Sequence, residues 1–304
     1  MSAERGEAIV IDIVFNDIDG CMVPQNYDPL RIVLDEAASA RHFAYYRAYA
    51  GPQIVIATGR GWEDTRGILE RAWFFPMQRA VWPETPVLCE HGLDVVIDPI
   101  ADIHLALIDE VPALHHLRPS VEPIRRTGER LAKELPAISA TLHRHFGRPV
   151  TQPLLLQKRF SLAVRIPSFA GTLEQIEPAP FFAVIREIAL PVLDGLLAER
   201  MVVFAQSSTA IDVVPPVNKG DGVRYLLGRY GTSSERTMYI GDSVPDLAGM
   251  REVGWAACPA NAVAEVQNYV RARGDRGYRS ALEFAEAELE ILNRLTAPQS
   301  HSCG

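Results

Sequence analysis

The sequence predicts an α/β protein, a parallel sheet with crossover helices, interrupted by an inserted α+β unit. Three observations carry this. Strand-length apolar runs at 9–15, 53–57 and 87–90 alternate with helical patterns, the rhythm of a parallel sheet whose helices cross back over it. That rhythm breaks between about 98 and 207, where prolines crowd, and then resumes. Short polar clusters stand just past the strand-like runs, the end of an open α/β sheet where ligands bind.

Residues 9–15 (IVIDIVF) have strand length and β-branched content, and they deliver Asp17 and Asp19 into a turn at Gly20. Two acids that close repel unless a cation or a proton sits between them, which points to a metal-assisted carboxylate site. Asp28-Pro29 can cap and open a helix over 30–49, ending at Gly51. Residues 53–57 (QIVIA) form a second strand that stops at Thr58-Gly59-Arg60, and a helix over 62–73 follows. Residues 87–90 and 93–97 complete this half. Within the irregular segment, 121–135 reads as helix, 159–166 (RFSLAVRI) as strand, 181–199 as a long helix and 201–206 as strand. Beyond it, the apolar run 210–214 is broken by Pro215-Pro216, and Lys219 opens a helix over 219–229. A strand at 237–240 enters Gly241-Asp242. Helix 243–253, strand 255–258, helix 262–273 and an amphipathic helix 280–295 close the chain. The expected organisation is a core in two parts, 1–97 and 208–296, around an insertion at 98–207, with a disordered tail at 297–304. There is no internal repeat.

Composition bounds the function. The 304 residues are 48% hydrophobic and 22% charged, which is ordinary for a globular chain. A formal net charge of -8 argues against a sequence-independent nucleic-acid binder, which needs a basic face, and leaves room for a local basic pocket for an anionic substrate. No apolar run reaches the length of a membrane span, and the first residues lack the pattern of a signal peptide. The four cysteines show no paired spacing, so neither a disulfide framework nor a zinc site is expected, and a reducing, cytoplasmic compartment fits best. His115-His116 and His143/His145 lack further ligands at metal spacing. No Gly-x-Gly-x-x-Gly follows the first strand, which argues against a dinucleotide enzyme.

The polar points fall in a telling order: FNDIDG (15–20), IATGR (56–60), NKG (218–220) and GDSVPD (241–246). In this order they resemble the four motifs of the haloacid dehalogenase-like hydrolase superfamily. An insertion between the second and third motifs is similar to the type II cap. RFSLAVRI and DVVPPVNKGDGVRYLL resemble the IIB branch of sugar-phosphate phosphatases, Cof-like phosphatases and phosphomannomutases. The resemblance implies a Rossmann-like core with an inserted α+β cap. It implies Asp17 as nucleophile and Asp19 as general acid and base. Mg2+ would be held by Asp17, the Asp19 carbonyl and Asp242, with Asp246 behind them. Thr58 would bind a phosphoryl oxygen, and Lys219 would neutralise charge on the phosphate and on Asp17. Gly20, Gly59, Arg60, Asn218 and Ser243 fall in the same motifs and are assigned to phosphate and substrate. No organic cofactor is implied.

Three positions depart from the family pattern: Cys21 for a usual Thr, Pro245 for a usual Asn, and His91 where Cof-like relatives often carry the Asn of an Asn-Gly. The expected activity is hydrolysis of a small organic phosphomonoester, such as a sugar phosphate, by a monomer or homodimer with no nucleic-acid or membrane partner. The alternatives are a phosphomannomutase-like phosphotransferase and a non-catalytic protein on the same scaffold. In the cap, Arg125-Arg126, His143, His145, Lys158-Arg159 and Arg165 are the donors available to a polar substrate.

Overall fold

The computed structural model describes residues 10–23, 44–46, 48–71, 85–172, 174–206 and 210–296. Most of the helix expected over 30–49, and the tail 297–304, lie outside the described residues. The chain divides into two compact units, one made of Met1–Leu107 and Asn218–Gly304, the other of Ile108–Val217.

In chain order the strands are β1 (Ile13–Asn16), β2 (Gln53–Ala57), β3 (Val87–Cys89), β4 (Asp94–Asp98), β5 (Ile103–Ala106), β6 (Leu154–Gln157), β7 (Leu162–Arg165), β8 (Val203–Gln206), β9 (Ala210–Val214), β10 (Thr237–Ile240), β11 (Trp255–Cys258) and β12 (Gly277–Arg279). The main helices are α1 (Trp62–Arg71), α2 (Val121–Phe146), α3 (Pro178–Ala198), α4 (Lys219–Tyr230), α5 (Asp246–Arg251), α6 (Ala264–Ala272) and α7 (Phe284–Thr296).

The larger unit holds an eight-stranded sheet in the order β12-β11-β10-β1-β2-β3-β4-β5. The strands from β12 to β3 run parallel, and β4 and β5 add an antiparallel edge. Strands buried on both faces read as continuous apolar runs rather than alternating ones. β1 does so: Ile13, Val14, Phe15 and Asn16 are all buried. Val14, Ile54, Ile56, Met238, Ile68 and Ile291 join one core, which fixes α1 and α7 against the sheet. β5 and β12 were not foreseen. Each is short and partly exposed, so its apolar signal is weak.

The smaller unit is a four-stranded antiparallel sheet, β6-β7-β9-β8, with α2 and α3 on one face. Leu162, Val164, Ile211 and Val213 meet Leu131 and Leu142 of α2 and Ile185 and Leu193 of α3. The sequence suggested that α2 ends at 135, because Pro136 removes a donor and clashes with the preceding turn. The helix instead runs 26 residues through Pro136 to a left-handed Gly147. Ile138 and Leu142 continue the apolar stripe of Ile124 and Leu131, and packing of that stripe outweighs the local penalty.

Both divisions between units fall later than the expected 97/98 and 207/208. Residues 210–214, read from the sequence as an apolar run on the core side of the boundary, form β9, which pairs with β7 and β8 in the smaller sheet. Apolar content marks a strand and says nothing of which sheet it joins. Pro215-Pro216 is the true punctuation before the core resumes at Asn218. Cys21, Cys89 and Cys258 are buried free thiols. No helix among the described residues is long and apolar enough to cross a membrane.

Candidate active site

The carboxyl ends of β1, β2 and β10 lie side by side, and the first, second and fourth motifs follow them. The Asp17 N–H still donates to the Ile240 carbonyl at 3.0 Å, so the nucleophile candidate is fixed by the last rung of the ladder. Its Oδ1 accepts from the Ile18 N–H at 2.8 Å and lies 2.9 Å from Lys219 Nζ. Burial and the neighbouring negative charges of Asp246, Asp242 and Asp19 push the Asp17 carboxyl well up, against the pull of Lys219. The chain then turns sharply, Gly20 taking φ +79.

Lys219 opens α4. Asn218 caps it: its side chain accepts from the Gly220 N–H at 2.9 Å, and its own N–H donates to Asp221 at 3.0 Å. The cap presents Lys219, whose side chain is 3% exposed, between Asp17 and Asp246, with 2.6 Å to Asp246 Oδ1. Burial pulls the ammonium down, but the two carboxylates outweigh it and hold Lys219 above the ordinary lysine range.

Asp246 is wholly buried, with donors on both oxygens. Oδ1 accepts from Lys219 and from the Tyr239 hydroxyl at 3.0 Å. Oδ2 accepts from the Asp242 N–H at 3.2 Å, the Ser243 N–H at 3.0 Å and the Ser243 hydroxyl at 2.7 Å. Burial raises this carboxyl, yet Lys219 and Ser243 outweigh it and hold Asp246 below the usual range. With its oxygens so engaged, Asp246 positions Lys219 and the loop after β10. Ser243, expected at the phosphate, bonds to Asp246, and Asn218 serves as the helix cap.

Asp17, Asp242 and Asp246 each offer an oxygen within 4.8 Å of the others. Lys219 pairs with two of these three buried carboxylates, Asp17 and Asp246, and the surplus of negative charge is one that a hard divalent cation with oxygen ligands would balance. The backbone makes room for this grouping. A Cβ on Gly20 would stand 2.0 Å from Asp242 Oδ2, and one on Gly241 would stand 2.5 Å from the Asp246 Cβ. The residues therefore fit a magnesium ion, with the carboxylates of Asp17 and Asp242 as the ligands best placed to hold it.

The Asp19 side chain points elsewhere. Arg60 Nε donates to Asp19 Oδ2 at 2.7 Å and Nη2 to Oδ1 at 2.6 Å, while Nη1 reaches Asp64 Oδ2 at 2.6 Å. Arg60, expected at the substrate, thus holds the candidate acid. The i, i+4 spacing of Arg60 and Asp64 was legible; the long-range partner was not. Thr58 is buried, and its Oγ1 accepts from the Arg60 N–H at 3.1 Å, which fixes the hydroxyl oxygen at the end of β2.

Two further networks carry no motif signal, and the first joins residues far apart in the chain. Asn16, next to Asp17, donates to Glu288 of α7 at 2.5 Å, and Tyr46 donates to the same oxygen. His104 lies between two carboxylates, Nδ1 at 2.9 Å from Asp94 and Nε2 at 3.1 Å from Asp102, which also accepts from Trp62 Nε1 at 2.6 Å. The turn after β3 is strained. Glu90 and His91 have φ 50 and 59, left-handed values that cost a non-glycine residue about 1–2 kcal/mol.

The cap candidates separate within their own unit. Arg125 pairs with Glu122 and Glu129 on the exposed face of α2, and Arg126 lies 3.8 Å from Glu122. His143 and His145 are exposed on the same helix, and Arg159 stacks over Phe160 at 5.1 Å. Lys158 forms a buried ion pair with Asp212 at 2.8 Å, and Arg165 at the end of β7 is half-buried.

Residues 190–274, which include Lys219, Asp242 and Asp246, match a protein family described as haloacid dehalogenase-like hydrolase. No curated protein sequence matches the chain. Among solved structures, a Thermoplasma acidophilum protein is 16% identical with a TM-score of 0.58 over 94% of this chain and 99% of that one. A haloacid dehalogenase-like hydrolase from Bacteroides thetaiotaomicron is 14% identical, TM-score 0.55, over 93% and 99%. The sucrose-phosphatase of Synechocystis, solved with sucrose and phosphate, is 17% identical, TM-score 0.53, over 95% and 99%. At these identities the likeness is one of fold.

Proposed function

We propose that the chain is a haloacid dehalogenase-like hydrolase and, within that class, a magnesium-dependent phosphatase acting on a small organic phosphomonoester, with sugar phosphates as the leading class. One observation carries the reading: Lys219 bridges Asp17 and Asp246 at the end of β1, beside Asp242. The site has the parts that phosphoryl transfer needs, a buried nucleophile, a fixed cation and an acid two residues away.

Oδ1 of Asp17 is occupied by the Ile18 N–H and Lys219, which leaves Oδ2 to attack phosphorus. The new O–P bond forms as the bond to the ester oxygen breaks, giving an aspartyl-phosphate and an alcohol. Asp19, released from Arg60 and protonated, gives its proton to the departing oxygen. Asp19, now a carboxylate, takes a proton from water as the water oxygen attacks phosphorus. Phosphate leaves and Asp17 is restored. Lys219 offsets charge on the phosphoryl group throughout, and the Thr58 hydroxyl donates to one of its oxygens. Asp17 and Asp242 would hold the magnesium ion, which would screen the phosphate charge and help orient the group.

Support for a sugar phosphate is the fold shared with a sucrose-phosphatase. Buried free thiols agree with a reducing, cytoplasmic setting. The test is phosphate release from a panel of sugar phosphates, sugar-acid phosphates and nucleotides, with magnesium and with EDTA, for the natural protein and Asp17→Asn. Release that needs magnesium and is lost in Asp17→Asn is expected. Release unaffected by either change overturns the reading. So does isomerised ester without free phosphate in phosphorus NMR, which would make the protein a mutase.

A further inference from the structure

The turn Glu90–Gly92 follows β3 and is left-handed at three successive residues, with φ 50, 59 and 97. Only the last is glycine. A non-glycine residue persists there only where its surroundings over-determine it, and such places gather at functional sites. Here the surroundings belong to the second motif. The His91 N–H donates to the Thr58 carbonyl at 3.1 Å, and the Glu90 N–H donates to the Arg60 carbonyl at 2.8 Å. On its other side Gly92 packs on the start of α4, where a Cβ would stand 3.2 Å from the Asn218 carbonyl oxygen. The turn is thus tied both to the loop of Thr58 and to the cap that presents Lys219.

This strain has a product, the placement of the His91 ring. The imidazole lies over the Cα of Gly59. A Cβ at Gly59 would stand 2.6 Å from His91 Cε1, 2.9 Å from Nε2 and 3.2 Å from Nδ1, so residue 59 must be glycine for the ring to lie there. His91 is half-buried. In the plane of the sheet β3 is two strand spacings from β1, about 10 Å, and the ring covers the strand end between them. The ring thus lies at the end of β2, the strand that leads to Thr58 and lies next to the strand of Asp17.

From this the geometry points to His91 as a substrate-contacting specificity residue that hydrogen-bonds the hydroxyl-bearing leaving group of the phosphate ester. The inference rests on the phosphatase reading for the identity of the ester. Imidazole suits the task because one ring nitrogen donates and the other accepts, which matches an alcohol.

Three variants test it. His91→Gly removes the ring and relieves the left-handed strain, so the protein should melt no lower than the natural one. It should raise KM for the best sugar phosphate of the panel about tenfold. On acetyl phosphate, whose small acyl group does not reach residue 91, the loss should stay within about threefold. His91→Asn, which tolerates the left-handed region and keeps a donor and an acceptor, should recover most of the KM. Gly59→Ala, which displaces the ring while keeping histidine, should raise KM as His91→Gly does. Equal losses on both esters, or none on either, overturn the inference. A natural protein that releases phosphate from no ester sinks the phosphatase reading alone. His91 is then judged by its 13Cε1–1H resonance, assigned by its absence from His91→Gly. With magnesium present, that signal should shift saturably with panel sugar phosphates and not with inorganic phosphate. No shift, or the same shift with inorganic phosphate, overturns the proposal.

Discussion

Arg60 grips Asp19 through both edges of its guanidinium fork, at 2.6 and 2.7 Å, and reaches Asp64 with its third nitrogen at 2.6 Å. A planar fork fixes both the position and the orientation of the carboxylate it holds. Asp19 is therefore held in a set place, and under the proposed mechanism it leaves the fork to carry a proton. Arg60→Ala should lower kcat on an alkyl phosphate, whose leaving oxygen needs that proton, by about tenfold to a hundredfold. On an aryl phosphate the loss should be several-fold smaller. Steady-state rates on the two esters decide it, and equal losses would remove Arg60 from acid positioning.

Gly20 should accept no side chain. Its φ of +79 and the Asp242 oxygen 2.0 Å from a would-be Cβ act together. Gly20→Ala should displace the Asp242 carboxylate by a fraction of an ångström and cost about a hundredfold in phosphate release. The magnesium concentration for half-maximal rate should rise, and stability should fall by about 1–2 kcal/mol. Magnesium titration and thermal melting measure both effects, and a natural magnesium dependence would contradict this account.

In the smaller unit the Lys158–Asp212 pair is buried, with side chains 7% and 10% exposed. Removing one member strands a buried charge. Lys158→Ala should destabilise by about 3–5 kcal/mol, while the paired change Lys158→Met with Asp212→Leu should lie near neutral. Urea unfolding of the three proteins checks this. A single variant as stable as the double would show that the charge has another outlet. The sequence offered Lys158 to a substrate; in the folded unit its ammonium pairs with Asp212.

Burial raises the Cys258 thiol from an ordinary 9.0 to about 11, despite the opposing pull of Arg279 and Arg271. The thiol form is favoured by folding. Its stabilising contribution is complete below pH 9.0 and is lost as pH rises through about 11. Alkylation of Cys258 in the native protein, followed by peptide mass spectrometry, should climb through pH 11 rather than pH 9.0. A native profile equal to that in urea would refute the shift.

The core was legible because its signals are local. Short apolar runs followed by Asp17, Thr58 and Asp242 state where strands end, and the Asn218-Lys219 cap states where a helix begins. Partnership was not local. Nothing near Arg60 in the chain names Asp19 as its acceptor, and nothing near Asn16 names Glu288, 272 residues away. Sheet membership was hidden for the same reason, so residues 210–214 read as an apolar run without saying which sheet they join. The left-handed His91 was hidden because its dihedral is imposed by Thr58 and Arg60 rather than by its own residue type. Pro136 misled in the opposite sense: its local rule was sound, and a distant apolar face overruled it.

The place of β1 between β2 and β10 has a consequence for how the protein is made. β2 leaves the ribosome soon after β1, but β10 follows about 180 residues later, after the whole smaller unit. At ordinary elongation speeds that is a delay of about 10 to 40 s. For that time one edge of a fully buried strand has no neighbour, a surface that invites pairing with other chains. Lys219, Asp242 and Asp246 also arrive with the late half. Asp17 is therefore synthesised about 200 residues before Lys219 and stays without its lysine until the sheet closes.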